Sequence, residues 1–491
     1  MIDKSIITRF KFLYIFVIMF FPVLISPQNL MAQDSLTNYL TRSAQNNPSL
    51  KSSYSQYLAS LQMIPQVGSL PDPEMTFGFF IKPKVEIMGK QNADIRFMQM
   101  FPWFGTLTSA KDEAAQMAKA RFQEFSEARN KLFYDVKSLY YQLYTLRKET
   151  TLAEENLKFL KTYEKLALIR FKTGSNVFPN SGSQSNPAPS SGNNSSGMNG
   201  GMNNTPGQSA AKSQTSSGVA MPSSGQAMPK GDGLVDVLRV QMDIKDLENS
   251  LSFLYDKRKP LMSRFNSYLN RSLSSDVFLP DTLKAISIDT TISVLTDSII
   301  SNNPMLKMYA AEQESYKAKM EKSRLMGLPM FGIGIDYMLL SRRTDISTMN
   351  NGNDMIMPMV NLTLPIYRKK YTAMRKEAEY MLNSSKYKQT NMLNNLKVDM
   401  ENALLNLNNA ARKIDLFNSQ TRLARQSLSI LTATYSTAGI GLVEVLRMQQ
   451  KLLDYQFKLV EAIVDQNTEV ANIGYLISKK IVTDDYLISN N

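Results

Sequence analysis

The chemistry open to this chain is set first by what it lacks, because its 491 residues include no Cys and no His. Disulfides, thiolate or imidazole zinc sites, and Cys or Ser-His nucleophiles are thereby excluded. A lipid anchor carried on an N-terminal Cys is excluded too. These absences argue against an enzyme, and no catalytic or cofactor-binding residues are expected. The soft ligand that remains is the thioether, and the chain holds 30 Met. Met198, Met202, Met221 and Met228 fall in one polar segment, while Met349, Met355, Met357 and Met359 cluster in what reads as a connection between strands. Thioethers select Cu(I) or Ag(I), so the first four are candidate soft-metal contacts. Met is equally an adaptable filler of cores and linkers, and that alternative stays open.

The elements that would position such groups can be read from the repeats. Asn46-Asn47-Pro48 recurs as Asn302-Asn303-Pro304, and Gly233-Leu234-Val235-Asp236-Val237-Leu238-Arg239 returns as Gly441-Leu442-Val443-Glu444-Val445-Leu446-Arg447. A repeated unit is one that cannot bury its apolar face alone. Each copy is expected to hold a pair of strands followed by a long helix. Thr106 to Thr173 and Arg368 to Ala438 contain neither Gly nor Pro, enough for helices of roughly 100 Å. In the first, Leu132, Val136, Leu139, Leu143, Leu146, Thr150, Ala153, Leu157, Leu160, Glu164, Ala167 and Phe171 step by four and three. Leu396, Met400, Ala403, Leu407, Ala410, Ile414, Phe417, Thr421, Ala424, Leu428, Leu431 and Tyr435 repeat the series in phase. A sustained seven-residue period keeps one seam against a partner helix and imposes a left-handed supercoil. Small and polar seam residues such as Ala153 and Thr421 suit packing in a larger ring better than a tight zipper. After Gly441 the spacing resumes at Leu446, Leu453, Val460, Ile463 and Val470, so each repeat is expected to form an antiparallel helical hairpin.

Ahead of each long helix the period changes to two. Met75, Phe77, Phe79 and Ile81 alternate with Thr76, Gly78 and Phe80, and Ile95, Phe97, Gln99 and Phe101 follow. Phe331, Ile333, Ile335, Tyr337 and Leu339 alternate with Gly332, Gly334, Asp336 and Met338, and Val360, Leu362 and Leu364 return opposite Asn361 and Thr363. Apolar-out, small-or-polar-in alternation over about 10 residues marks a transmembrane barrel strand. Four strands cannot close a barrel, and lipid does not tolerate an open edge. Strands of this kind must therefore be pooled among several chains; three copies give 12. A soluble hairpin packed on a core is the competing reading.

At these residues the chain resembles the TolC family of outer-membrane efflux proteins. The likeness rests on the duplication, on Leu70-Pro71-Asp72-Pro73-Glu74 entering the first strand, on Phe101-Pro102-Trp103-Phe104-Gly105 leaving the second, and on the helical turn from Tyr435 to Leu446. It implies a mixed, mainly α fold: a homotrimer with a 12-stranded transmembrane β-barrel, four strands per chain, in outer-membrane lipid. A long antiparallel α-helical tunnel would continue it through the periplasm. The partners implied are a periplasmic adaptor (membrane fusion) protein and an inner-membrane efflux pump. The function implied is passive export of small solutes, drugs or metal ions of the Cu or Ag type. The Pro-Asp-Pro and Phe-Pro-Trp-Phe-Gly signatures resemble the heavy-metal efflux branch. In the family the helix tips close the tunnel. Glu444 matches the acidic position of that gate and Tyr435 a tyrosine, whereas Ile440 stands where the family has an arginine and Arg447 where it has a second acid. Asp236 is the first-repeat counterpart of Glu444. An ordinary first-turn acid stabilised by the helix dipole is the alternative for both acids.

The expected organisation is a signal peptide over 1–32, repeat 1 over 33–285 and repeat 2 over 286–491. Repeat 1 holds a strand pair at about 74–101 and a helical hairpin at about 106–270; repeat 2 holds them at about 330–365 and 367–480. Lys4, Arg9 and Lys11 precede an apolar run from Phe12 to Ile25, with Ala32 before the cleavage point, the order of a secretory signal. A Ser/Gly/Asn/Met-rich insert over 175–232 is expected to be disordered and to hang from the periplasmic tip of the first hairpin. The net charge of +13 is spread along the helices without a basic aromatic stripe, so no nucleic-acid partner is expected. Two rival functions remain: a duct for protein (type I) secretion, and a secreted coiled-coil scaffold without a pore.

Overall fold

The structure is a computed structural model that describes residues 36–172, 233–288, 291–345, 349–436 and 441–479. The expected signal peptide, the 175–232 insert with Met198, Met202, Met221 and Met228, and Ile440 all lie outside the described residues.

The chain runs through the same series of elements twice. Helices α1 (Leu36–Asn46) and α2 (Pro48–Gly68) lead to strands β1 (Glu74–Glu86) and β2 (Gly89–Phe101), then to α3 (Thr106–Lys172) and α4 (Gly233–Tyr268). Helices α5 (Ile292–Asn302) and α6 (Pro304–Leu325) lead to β3 (Met330–Ser341) and β4 (Met355–Thr363), then to α7 (Arg368–Ser436) and α8 (Leu442–Leu476). Between each Asn-Asn-Pro and its strands the structure therefore places a helix, of 21 residues in α2 and 22 in α6, which the sequence reading missed. Met355, Met357 and Met359 lie inside β4 rather than in a strand connection.

The Asn-Asn-Pro repeat is a joint. Asn47 caps α2, its side chain accepting from the Leu50 amide at 3.0 Å, with Pro48 set at the start of the helix. Its amide then donates to the carbonyl of Tyr268 at the end of α4, at 3.0 Å. Asn303 does the same in the second repeat, capping α6 through Met305 N at 3.0 Å and donating to Leu476 O of α8 at 3.2 Å. A helix C-terminus leaves carbonyls without intrahelical partners. In each repeat one Asn satisfies an amide at one helix start and a carbonyl at another helix end, and both Asn are buried.

The long helices, of 67 and 69 residues, rise about 100 Å at 1.5 Å per residue. Their seams pack largely as the spacing predicts, but the first ends short of Phe171, which is exposed at the last turn of α3. Leu132, Val136, Leu139, Leu143, Leu146, Ala153, Leu160 and Ala167 are buried in α3, and Leu396, Met400, Ala403, Leu407, Ala410, Thr421, Ala424 and Tyr435 in α7. Helix α3 packs on α4, α2, α6 and α8, while α7 packs on α6 and α8. The apolar core is drawn out along this bundle in three clusters. One surrounds Tyr39, Val136 and Phe265, a second Ile299, Met400 and Ile473, and a third gathers the hairpin tips.

The four strands form one antiparallel meander in the order β1-β2-β3-β4, leaving β1 and β4 as edges. The two sequence signatures at the root of the sheet have structural roles. Gln99 of β2 donates to the Pro71 carbonyl at 2.8 Å, docking the Leu-Pro-Asp-Pro-Glu entry. Trp103 stacks on Phe331 of β3 with centroids 5.7 Å apart. Gly105 turns the chain into α3 with φ +85°, a conformation costly for residues with a Cβ.

Candidate functional site

Polar chemistry gathers at the hairpin tips and on one face of the sheet. At the tips both repeats meet. Leu160, Tyr163 and Ala167 of α3, Val237, Val240 and Ile244 of α4, Tyr435 of α7 and Leu442, Val445 and Leu446 of α8 form one apolar cluster. Polar bonds close the same interface. The Tyr163 hydroxyl donates to Thr432 Oγ1 at 3.1 Å, and the buried Gln449 amide donates to Asn156 Oδ1 at 2.8 Å. The Arg170 guanidinium lies over the Tyr435 ring, 5.1 Å from its centroid, and Tyr163 packs beside that ring at 6.1 Å.

Tyr435 is therefore buried within a single chain. Glu444 and Arg447 are both exposed and pair with each other, Arg447 Nη1 standing 2.9 Å from Glu444 Oε1 and 3.2 Å from Oε2. The pair is one helical turn apart, so each chain presents a neutral couple at this point rather than a free acid. Asp236 and Glu444 sit in the first turns of α4 and α8, equivalent positions at which a carboxylate is favoured by the helix dipole. The structure thus brings Tyr435, Glu444, Arg447 and Asp236 to one end of the bundle.

Away from the tips the helical body holds carboxylates in partly apolar surroundings. Burial pushes Glu127, Glu149, Asp243 and Asp465 above the usual carboxylate range. For Glu127 the hydroxyl of Tyr475 works in the opposite direction by donating to the carboxylate. Among the described residues no group of His, Cys, Asp and Glu is placed to hold a metal ion, and no helix is long and apolar enough to cross a membrane.

The sheet has two faces of opposite character. In register, Phe77, Ile95, Tyr337 and Ile356 form one rung, and Phe97, Ile335 and Pro358 belong to the next. This face is greasy and uncovered: Phe79 is 80 % exposed, Ile333 61 % and Val360 82 %. The opposite face carries Thr76, Arg96, Asp336 and Met357 on one rung. There Arg96 Nη2 stands 2.9 Å from Asp336 Oδ2. Sequence alternation located both faces; it could not show which side chains become neighbours, since that requires the pairing register.

An antiparallel sheet of four strands with bare edges, mounted on two very long helical hairpins, is an arrangement shared with solved outer-membrane channel proteins. The outer-membrane protein VceC of Vibrio cholerae matches with a TM-score of 0.65 at 13 % identity, over 90 % of this chain and 96 % of that one. The MtrE outer-membrane channel of Neisseria gonorrhoeae, solved in an open state, gives 0.65 at 13 % identity over 90 % and 89 %. The CmeC outer-membrane channel of Campylobacter jejuni gives 0.64 at 11 % over 92 % and 88 %. No protein-family model and no curated protein sequence matches the chain. The likeness is one of fold: a mainly α chain with one four-stranded antiparallel sheet, as expected from the sequence for each chain.

Proposed function

We propose that this chain is the outer-membrane channel subunit of a tripartite efflux system: a passive homotrimeric duct fed by a periplasmic adaptor and an inner-membrane pump. The observation that carries this reading is the sheet, which has one exposed apolar face, one polar face and two unpaired edges. An apolar face that wide is stable against lipid tails, and lipid forbids an unpaired strand edge. Three sheets joined edge to edge answer both requirements, with 12 strands forming the barrel and the helices continuing it as a periplasmic tunnel. A second feature supports the trimer. Val398, Leu405, Leu416, Leu423 and Ile430 lie largely on a seven-residue spacing along α7 and are each at least half exposed. That is a second apolar stripe, distinct from the buried seam, and a neighbouring subunit is its natural cover.

The gate is assigned to the tips, with Tyr435, Ile440, Glu444, Arg447 and Asp236 around the constriction. Opening requires the two hairpins to separate, so it must break the Tyr163–Thr432 and Gln449–Asn156 bonds and the Arg170–Tyr435 contact. The in-chain Glu444–Arg447 pair makes the ring less cation-selective than two carboxylate rings would be. The insert over 175–232 lies in the chain between α3 and α4, at the end an adaptor would meet.

Single-channel recording in a planar bilayer tests this assignment. Glu444→Ala combined with Tyr435→Phe is expected to raise conductance. Unaltered conductance removes these residues from the gate, and a purified protein that stays a single subunit and leaves bilayers impermeable ends the channel reading itself.

A further inference from the structure

The polar face of the sheet is unusually rich in one residue type. Three consecutive rungs read Glu74–Met98–Gly334–Met359, Thr76–Arg96–Asp336–Met357 and Gly78–Asp94–Met338–Met355. Five of these positions are Met, whereas 30 Met in 491 residues predicts about one. All five surround Asp336. Met357 is directly opposite it, Met98, Met355 and Met359 are diagonal neighbours, and Met338 follows on the same strand and face. Directly opposed residues lie about 5 Å apart at Cβ and diagonal ones about 7–8 Å, well within the reach of flexible thioether chains.

Two further observations show that the arrangement is built. Asp336 is 1 % exposed, and only one of its oxygens is satisfied: Oδ2 faces Arg96, while Oδ1 is buried with no hydrogen-bond partner among the described residues. Such an atom is costly in a stable fold. In addition, β3 has glycine where the sulfurs pass. A Cβ at Gly332 would meet Met100 Sδ at 2.6 Å and Met98 Sδ at 3.2 Å, and one at Gly334 would meet the Phe97 carbonyl oxygen at 2.6 Å and Met98 Sδ at 3.1 Å. A larger residue at either position would force the neighbouring thioethers to shift. The charge balance also favours a cation, since Arg96 is the one base on these rungs against Glu74, Asp94 and Asp336.

We propose that this face is a binding site for a soft monovalent cation, Cu(I) or Ag(I), in which thioethers around Asp336 supply the ligands and its carboxylate the compensating charge. Soft sulfur ligands select these ions over Na⁺, K⁺ or Mg²⁺, and with no Cys or His anywhere in the chain thioethers are the only soft ligands it has. The ion is cargo rather than a resident cofactor. Thioethers without thiolate suit that role, because a conducting path must bind strongly enough to admit an ion and weakly enough to release it. The transport role rests on the channel reading; the binding does not.

The test is an Ag(I) titration, in chloride-free buffer, of the full protein in detergent with its Met methyl groups labelled with carbon-13. The methyl signals of Met98, Met357 and Met359 are expected to shift together and saturate. Asp336→Asn is expected to weaken that saturation at least about tenfold through loss of a nearby full charge, and Met357→Leu with Met359→Leu to abolish the Met98 shift at near-constant volume. If these three signals stay at their free positions while Ag(I) moves others, the site is refuted. Equal affinity in Asp336→Asn removes the carboxylate from it. Conductance of the same unmodified preparation separates the two readings: open channels without a Met98 shift refute only the site, and a Met98 shift without channels refutes only the channel.

Discussion

At the scale of single residues, Glu127 carries a pH-dependent prediction. Burial raises its carboxyl above 4.5, and Tyr475 donates a hydrogen bond to it. With the folded value above the unfolded one, the folded protein holds the proton longer. The penalty for the charged form is absent at pH below 4.5 and grows as pH rises through the folded value. Glu127→Gln keeps an acceptor for Tyr475 and removes that charge. Its melting temperature should therefore exceed that of the unaltered protein at pH 7, with the gap closing toward pH 4; a gap that is constant with pH would contradict the desolvation account. Of the residues singled out in the sequence, Glu444 and Arg447 were recognisable by motif, but their mutual ion pair was not. Asp336 appeared only as the polar member of an alternating strand. Its buried, half-satisfied state depends on Arg96, 240 positions away, and no local pattern encodes that distance.

At the scale of elements, legibility followed the range of the interactions. The seams of α3 and α7 were readable because a seven-residue period is local and is repeated over many turns. The strands were readable because one face is apolar at nearly every position, Gln99 excepted. Helices α2 and α6 were not: α2 contains Pro65, and neither carries a sustained heptad to mark it. The Asn-Asn-Pro repeats were visible as words without a meaning until the structure joined each to the end of a distant helix. That joint can be broken selectively. Asn47→Ala and Asn303→Ala should each lower stability by about 1–2 kcal/mol, the loss of a helix cap together with an orphaned carbonyl. Urea unfolding followed by circular dichroism reads this as a lower midpoint at unchanged slope. A midpoint equal to that of the unaltered protein in both variants would show the two Asn to be passive.

For the whole molecule, the exposed stripe on α7 sets the prediction. Leu423 is 58 % and Ile430 66 % exposed, one heptad apart and remote from the sheet. If subunits pack there, Leu423→Lys with Ile430→Lys places charges in an apolar seam and should shift the detergent-solubilised protein from trimer toward monomer by light scattering. The fold of each subunit should persist, since neither residue belongs to an intrachain core cluster. A trimer that survives both charges would move the contact elsewhere.

If the chain is the channel subunit proposed above, the bare edges of the meander have a consequence for its assembly. One edge strand has 13 residues and the opposite one nine, and in hydrocarbon neither can be left without a neighbour. On the channel reading proposed above, a solitary subunit would have no route into the bilayer, and oligomerisation and insertion would become a single event. If three chains share one barrel as proposed, assembly would slow steeply as export falls, and subunits once sealed into a ring would have no path by which to trade places.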